Sequence, residues 1–208
     1  MTKLKTFDYL FMLFGVLLQV ICFLFTGDAW LSFICGLSGA INVVLCSQRK
    51  MSFYFFAYIQ MFTYIVIIFQ QHLWGELIEN IFYFVTTTMA LFMWLKHYNK
   101  EEKVVEANQL SFKGWVLNGI ILVVCTILLY IVLLHTNDPE PFLDSISTVP
   151  AFMAQILLMM RYREQWILWL IVDVSSLVLW INVGDIFMVM QFVFWTLNCI
   201  YGFVKWSK

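Results

Sequence analysis

The sequence predicts an all-α integral membrane protein of eight transmembrane helices: one accessory N-terminal helix, then two parallel three-helix repeats joined by a linker helix, a 3+1+3 plan. Three observations carry this expectation: apolar runs of membrane-spanning length recur along the chain, basic residues keep to alternate connections, and the two halves match at a fixed offset. The composition agrees. Of 208 residues, 62% are hydrophobic and 12% charged, with mean hydropathy +0.86, beyond the range of an ordinary soluble domain.

The first run, 7–26, follows Lys3 and Lys5 much as the core of a signal peptide would. It is longer than such a core, and "TGDAW" offers no small-x-small cleavage site, so it is expected to remain a helix. Further runs lie at 30–47, 51–70, 76–97, 115–134, 142–161, 166–183 and 185–205. Each has about 18 to 22 residues, enough for a helix to cross a hydrocarbon core of ~30 Å. Barrel strands would alternate apolar and polar residues, which "YIVIIF" and "GIILVVC" do not.

The 12 basic residues fall at Lys3/Lys5, Arg49/Lys50, Lys96/Lys100/Lys103/Lys113, Arg161/Arg163 and Lys205/Lys208, that is, at both termini and in every second connection. The alternate connections carry acids instead: Asp28, Glu76, Asp138, Glu140, Asp144 and Asp185. Basic residues gather on the cytoplasmic side, so both termini are expected there, in a cell inner membrane. The five cysteines all lie in apolar runs without C-x-x-C or metal-ligand spacing, and read as small buried hydrophobes.

With a shift of 112 or 113 residues, Phe53 lies over Trp166, Phe56 over Trp169, Tyr83 over Trp195 and Trp94 over Trp206. Polar groups coincide as well, Gln60 with Asp173 and Glu79 with Gln191. The expected divisions are an accessory helix in 1–29, a first repeat in 30–97, a linker and joining helix in 98–141, and a second repeat in 142–208. Parallel repeats of this kind place a substrate site near the membrane midplane.

Trp166, Trp169 and Asp173 stand at i, i+3 and i+7 and share one helical face, which Phe56 and Gln60 repeat in the first half. The last helix of each half adds Glu79, Asn80, Tyr83 and Thr87, or Gln191, Trp195 and Asn198, again at helical spacing. These residues are the candidate substrate-binding set. An aspartate at the centre of a membrane helix costs roughly 2.5 to 3.5 kcal/mol, and such residues usually face an interior or a pathway. Basic residues touch these runs only at their last one or two positions, Lys96, Arg161 and Lys205, and none lies near the middle of a run. Asp173 is therefore left with protonation, with hydrogen bonds from Gln60, Ser175 or Ser176, or with a cationic substrate, which aromatic faces also attract. Trp94 and Trp206, at run ends, are expected in an interfacial aromatic belt. His72, His97 and His135 also lie at run ends and receive no chemistry. No nucleophile–base pair or phosphate loop stands out, so neither an enzyme nor a cofactor is expected, and no nucleic-acid partner.

"YREQWILWLIVDVSS" resembles the W-x-x-W-x-x-x-N signature of the PnuC-type vitamin transporters, and the similarity extends upstream through "FLDSISTVPAFMAQILLMMRY". The first half, from "GLSGAINVVLCSQRKMSFYFF" to "FMWLKHY", is similar to that family's other repeat. The resemblance implies a fold similar to the sugar-transporting SWEET proteins with an extra N-terminal helix. It also implies facilitated diffusion of nicotinamide riboside or, in relatives, thiamine or riboflavin, with a cytoplasmic kinase trapping the product.

By position, Trp166 and Trp169 would be the motif tryptophans, while Asp173 replaces the motif asparagine. Thr87 and Asn80 also depart from the residues that nicotinamide riboside carriers tend to have there, and "TMALFMW" lacks their Tyr-Gly-Trp stretch. An aspartate only accepts hydrogen bonds, which suits an aminopyrimidine better than a carboxamide. Thiamine is therefore the first expectation. Nicotinamide riboside, itself a cation, and proton-coupled transport through Asp173 are the alternatives. The expected partners are the vitamin and the lipid bilayer, with homo-oligomerisation left open. Polar and aromatic faces on both repeats speak against a non-transporting scaffold.

Overall fold

The computed structural model describes residues 6–26, 30–71, 74–136, 140–184 and 186–207. Among them are eight helices: α1 (Thr6–Thr26), α2 (Trp30–Ser47), α3 (Phe53–Gln71), α4 (Trp74–Leu95), α5 (Phe112–Leu133), α6 (Pro141–Met159), α7 (Gln165–Val183) and α8 (Ile186–Trp206). Five of these, α1, α2, α5, α6 and α7, are long and apolar enough to cross a membrane, and α3 carries a shorter apolar stretch, Phe53–Ile67. Lys3, Lys5, Asp28, His72, Asp138, Asp185 and Lys208, which entered the charge pattern or were set aside, lie outside the described residues.

The chain divides into two compact units, Met1–Glu106 and Ala107–Lys208. In the first, α1 packs on α2, α2 on α3 and α3 on α4. Small residues let the helices approach. Gly36 of α2 lies against the Gln19 amide of α1, and Gly39 lies against the Gln60 amide of α3, where a Cβ would come within 3.0 Å of Nε2. Between α3 and α4, the Tyr58 and Thr88 hydroxyls are 3.0 Å apart, and Phe62 meets Phe84 at 5.8 Å.

In the second unit, α5 packs on α6, α6 on α7 and α7 on α8. Ala154, Leu157 and Leu168 form a buried cluster, with Leu110, Leu122 and Trp169 packed around it. No residue of α5 is buried, as befits a helix that is apolar all round in lipid. Its start, Phe112, precedes the expected 115 because the Ser111 hydroxyl caps it, accepting the Gly114 N–H at 3.2 Å. α6 opens with Pro141 at its first turn and keeps Pro150 buried in its interior, a residue that membrane helices tolerate when neighbours satisfy the freed backbone.

α2 and α6 end alike. Arg49 (φ 58°) and Arg161 (φ 64°) adopt the left-handed conformation usually left to glycine. In each corner the arginine N–H reaches back three residues, to Cys46 or Leu158, at 2.9 Å. The next N–H closes the turn onto Leu45 at 3.1 Å or Leu157 at 2.8 Å. Each arginine carbonyl then accepts an N–H from the connection between the halves, Val105 to Arg49 at 3.0 Å and Asn108 to Arg161 at 2.7 Å.

That connection contains local structure absent from its reading as a charged linker. β1 (Tyr98–Asn99) pairs antiparallel with β2 (Val104–Val105). The Asn99 side chain closes the turn by accepting the backbone N–H groups of Glu101 and Glu102 at 2.9 and 3.1 Å.

Candidate functional site

α7 carries the sequence motif. Trp166, 4% exposed, stands edge-on to Trp206 of α8 at 5.9 Å and 80°. It lies flat on Gly202, where a Cβ would fall 2.5 Å from ring atom Cε2. Trp169 is half-buried and turns toward the Ala154, Leu157 and Leu168 cluster. Asp173, 5% exposed, accepts a hydrogen bond from the Cys199 thiol of α8, with 3.1 Å between Sγ and Oδ2. Ser175 is not its donor, because that hydroxyl bonds the Ile171 carbonyl at 2.8 Å.

On α8, Gln191 is half-buried and Asn198 buried. Trp195 stands edge-on to Phe192 at 5.1 Å, its indole nitrogen buried without a hydrogen-bond partner among the described residues. Between α7 and α8 an apolar cleft of about 180 Å³ is bordered by Trp166, Leu170, Cys199 and Phe203 among others. That is smaller than the roughly 300 to 1,000 Å³ of an ordinary ligand pocket, so the cleft is not a chamber for a nucleoside.

In the first unit, Gln60 is held from α2: its Oε1 accepts from Asn42 at 3.1 Å, and its carbonyl accepts from the Cys35 thiol at 3.7 Å. Phe56 is half-buried and edge-on to Phe55 at 5.3 Å. On α4, the Tyr83 hydroxyl donates to Glu79 at 2.7 Å. Asn80 is buried with its side-chain oxygen unbonded among the described residues, and Thr87 is buried on the same helix. Tyr58, Phe62, Phe84 and Thr88 join α3 to α4, as do Phe53 and Tyr54 against Trp94.

Two readings need correction. Trp94 and Trp206 do not form an interfacial belt. They are 0% and 2% exposed, and Trp94 stands edge-on to Phe53 at 5.0 Å as Trp206 does to Trp166. An aromatic ring at the end of a run suits either place, and here each packs against a ring of the preceding helix. Cys199 is the second. It is buried as expected, as is Cys46, yet it is also the donor to Asp173; Cys22 and Cys35 are only half-buried and Cys125 is exposed, against the reading of all five as buried. The repeat offset held the signal for it, since Cys199 lies over Thr87, a hydrogen-bonding position already chosen.

Residues 29–208 match the protein family described as nicotinamide mononucleotide transporter. The chain belongs to that family. It is 31% identical to the nicotinamide riboside transporter PnuC of Haemophilus influenzae, over 98% of this chain and 91% of the relative. The PnuC of Neisseria mucosa is 30% identical, over 97% of this chain and 81% of that protein. A crystal structure of the vitamin B3 transporter PnuC superposes with a TM-score of 0.83 at 28% identity, covering all of this chain and 93% of that one. The relatives are transporters, and this member of the family is a multi-pass membrane transporter for a vitamin, not an enzyme. Their names give no support to the first expectation of thiamine and agree with the alternative, nicotinamide riboside.

Proposed function

We propose that this transporter carries nicotinamide riboside across the cytoplasmic membrane by facilitated diffusion, with both termini on the cytoplasmic side. The observation that carries the substrate reading is Asp173, a carboxylate buried in a membrane helix and bonded there by a thiol, a weak donor. A carboxylate so lightly compensated attracts a cation, and the nicotinamide ring of the riboside is positively charged. The named relatives support the same choice. Thiamine carries a cationic ring too, so charge alone does not separate the two vitamins.

Calorimetric titration of both vitamins into purified protein, with uptake into proteoliposomes alongside, tests this reading. Nicotinamide riboside should bind tighter than thiamine. Asp173→Leu should weaken binding by about ten-fold or more, the cost of leaving a buried partner unmatched being roughly 1 to 3 kcal/mol. Tighter thiamine binding by the wild type would overturn the substrate. Uptake that requires an inward proton gradient and loses that requirement in Asp173→Asn would replace facilitated diffusion by proton coupling.

A further inference from the structure

In the first unit, Gln60 is tied to the preceding helix through Asn42 of α2, whereas its counterpart Asp173 is tied to the following helix through Cys199 of α8. The halves therefore differ at the position where the motif residue changes. Among the described residues, the Cys199 thiol is the side chain that bonds Asp173, and it engages one carboxylate oxygen, Oδ2. Both residues are buried, at 4% and 5% exposure, so water does not compete for this bond.

A carboxylate in a membrane helix needs its rotamer fixed if it is to meet a ligand in one geometry. The fixing group also affects how much charge remains. A guanidinium or ammonium would neutralise the carboxylate before any cation arrived, while a thiol is a weak, uncharged donor that leaves most of the charge in place. We propose that Cys199 is a positioning residue for substrate recognition: its thiol holds Asp173 through Oδ2, leaving Oδ1 and the carboxylate charge for the cationic ring. This rests on the nicotinamide riboside reading above and adds a specificity-determining partner on α8.

Two measurements on the full-length protein test it. The first needs no vitamin. With Cys22, Cys35, Cys46 and Cys125 replaced by alanine, the infrared S–H stretch belongs to Cys199 alone, and Asp173→Leu should move it to higher wavenumber as its acceptor is lost. An unmoved band overturns the proposal. The second is nicotinamide riboside affinity. Cys199→Ala should weaken it about ten-fold, whereas Cys199→Ser, which keeps a donor, should stay within about three-fold of the wild type. Equal affinities for the alanine and serine variants overturn the positioning role, because a merely space-filling cysteine is replaced equally well by either. If the wild type binds no nicotinamide riboside, the substrate reading fails, and the infrared band still decides whether the thiol holds the carboxylate.

Discussion

Trp166, Gly202 and Trp206 pack as one unit, and the first half shows how its parts compensate. At the corresponding positions Phe53 replaces Trp166 and Ala90 replaces Gly202, with Trp94 kept. The smaller ring goes with the larger backbone residue. Gly202→Ala should therefore push a methyl group into the Trp166 ring and lower stability by about 1 to 3 kcal/mol. Adding Trp166→Phe should restore much of the loss, as read by thermal unfolding in detergent; no recovery in the double variant would break the analogy. Trp206→Ala, harmless if the residue only lay in lipid headgroups, should cost about 3 to 5 kcal/mol. The coincidence of these aromatics was legible in the sequence through the repeat. The burial of Trp166 was not, because it depends on a missing Cβ on the neighbouring helix. Asp173 was legible as a membrane-helix carboxylate in need of a partner, while that partner, Cys199, lay hidden among residues whose apolar surroundings gave them a purely space-filling role.

The corners after α2 and α6 turn on arginines in a conformation that costs an L-residue roughly 1 to 2 kcal/mol. At Arg49 burial lowers the guanidinium from its ordinary value, and the charge of Glu102 in the hairpin turn raises it again. The corner is thus held from outside by the connection that folds over it. Arg49→Gly removes the backbone cost and the ion interaction together, whereas Arg49→Val keeps the backbone cost, worsened by β-branching. The valine variant should unfold at a lower temperature than the glycine variant, by an amount matching about 1 to 2 kcal/mol; equal transitions would mean that the corner relaxes when the side chain is removed. Helix positions were readable from apolar runs, to within a few residues at the ends. The corners were not, because "SQRK" and "MRYR" contain no glycine and advertise only their charge. The hairpin at Tyr98–Val105 was hidden for a related reason: its turn is closed by one asparagine within a run of charges that reads as solvated linker.

At the scale of the molecule, the chain's solubility pattern does most of the specifying. Among the described residues, eight helices form where eight apolar runs lie, and the family assignment through residues 29–208 agrees with the motif in α7. What apolar runs cannot convey is which faces pack, since lipid and protein interior select similar residues; α5, apolar on every side, has no buried residue at all. Orientation is carried by charge instead. With every lysine and arginine at a terminus or in alternate connections, the connection 97–114 should be cytoplasmic and the turn between α5 and α6 external. Lys103 and Thr136 are both exposed, so a cysteine at either is open to reagent on its own side, whereas Gln48, in another basic connection, is buried and would stay silent on either side. In a background with the five native cysteines replaced, Cys199 by serine to keep its donor, a membrane-impermeant maleimide applied to intact cells should label Thr136→Cys and spare Lys103→Cys. Permeabilisation should then expose Lys103→Cys. Labelling of Lys103→Cys in sealed cells would invert the topology.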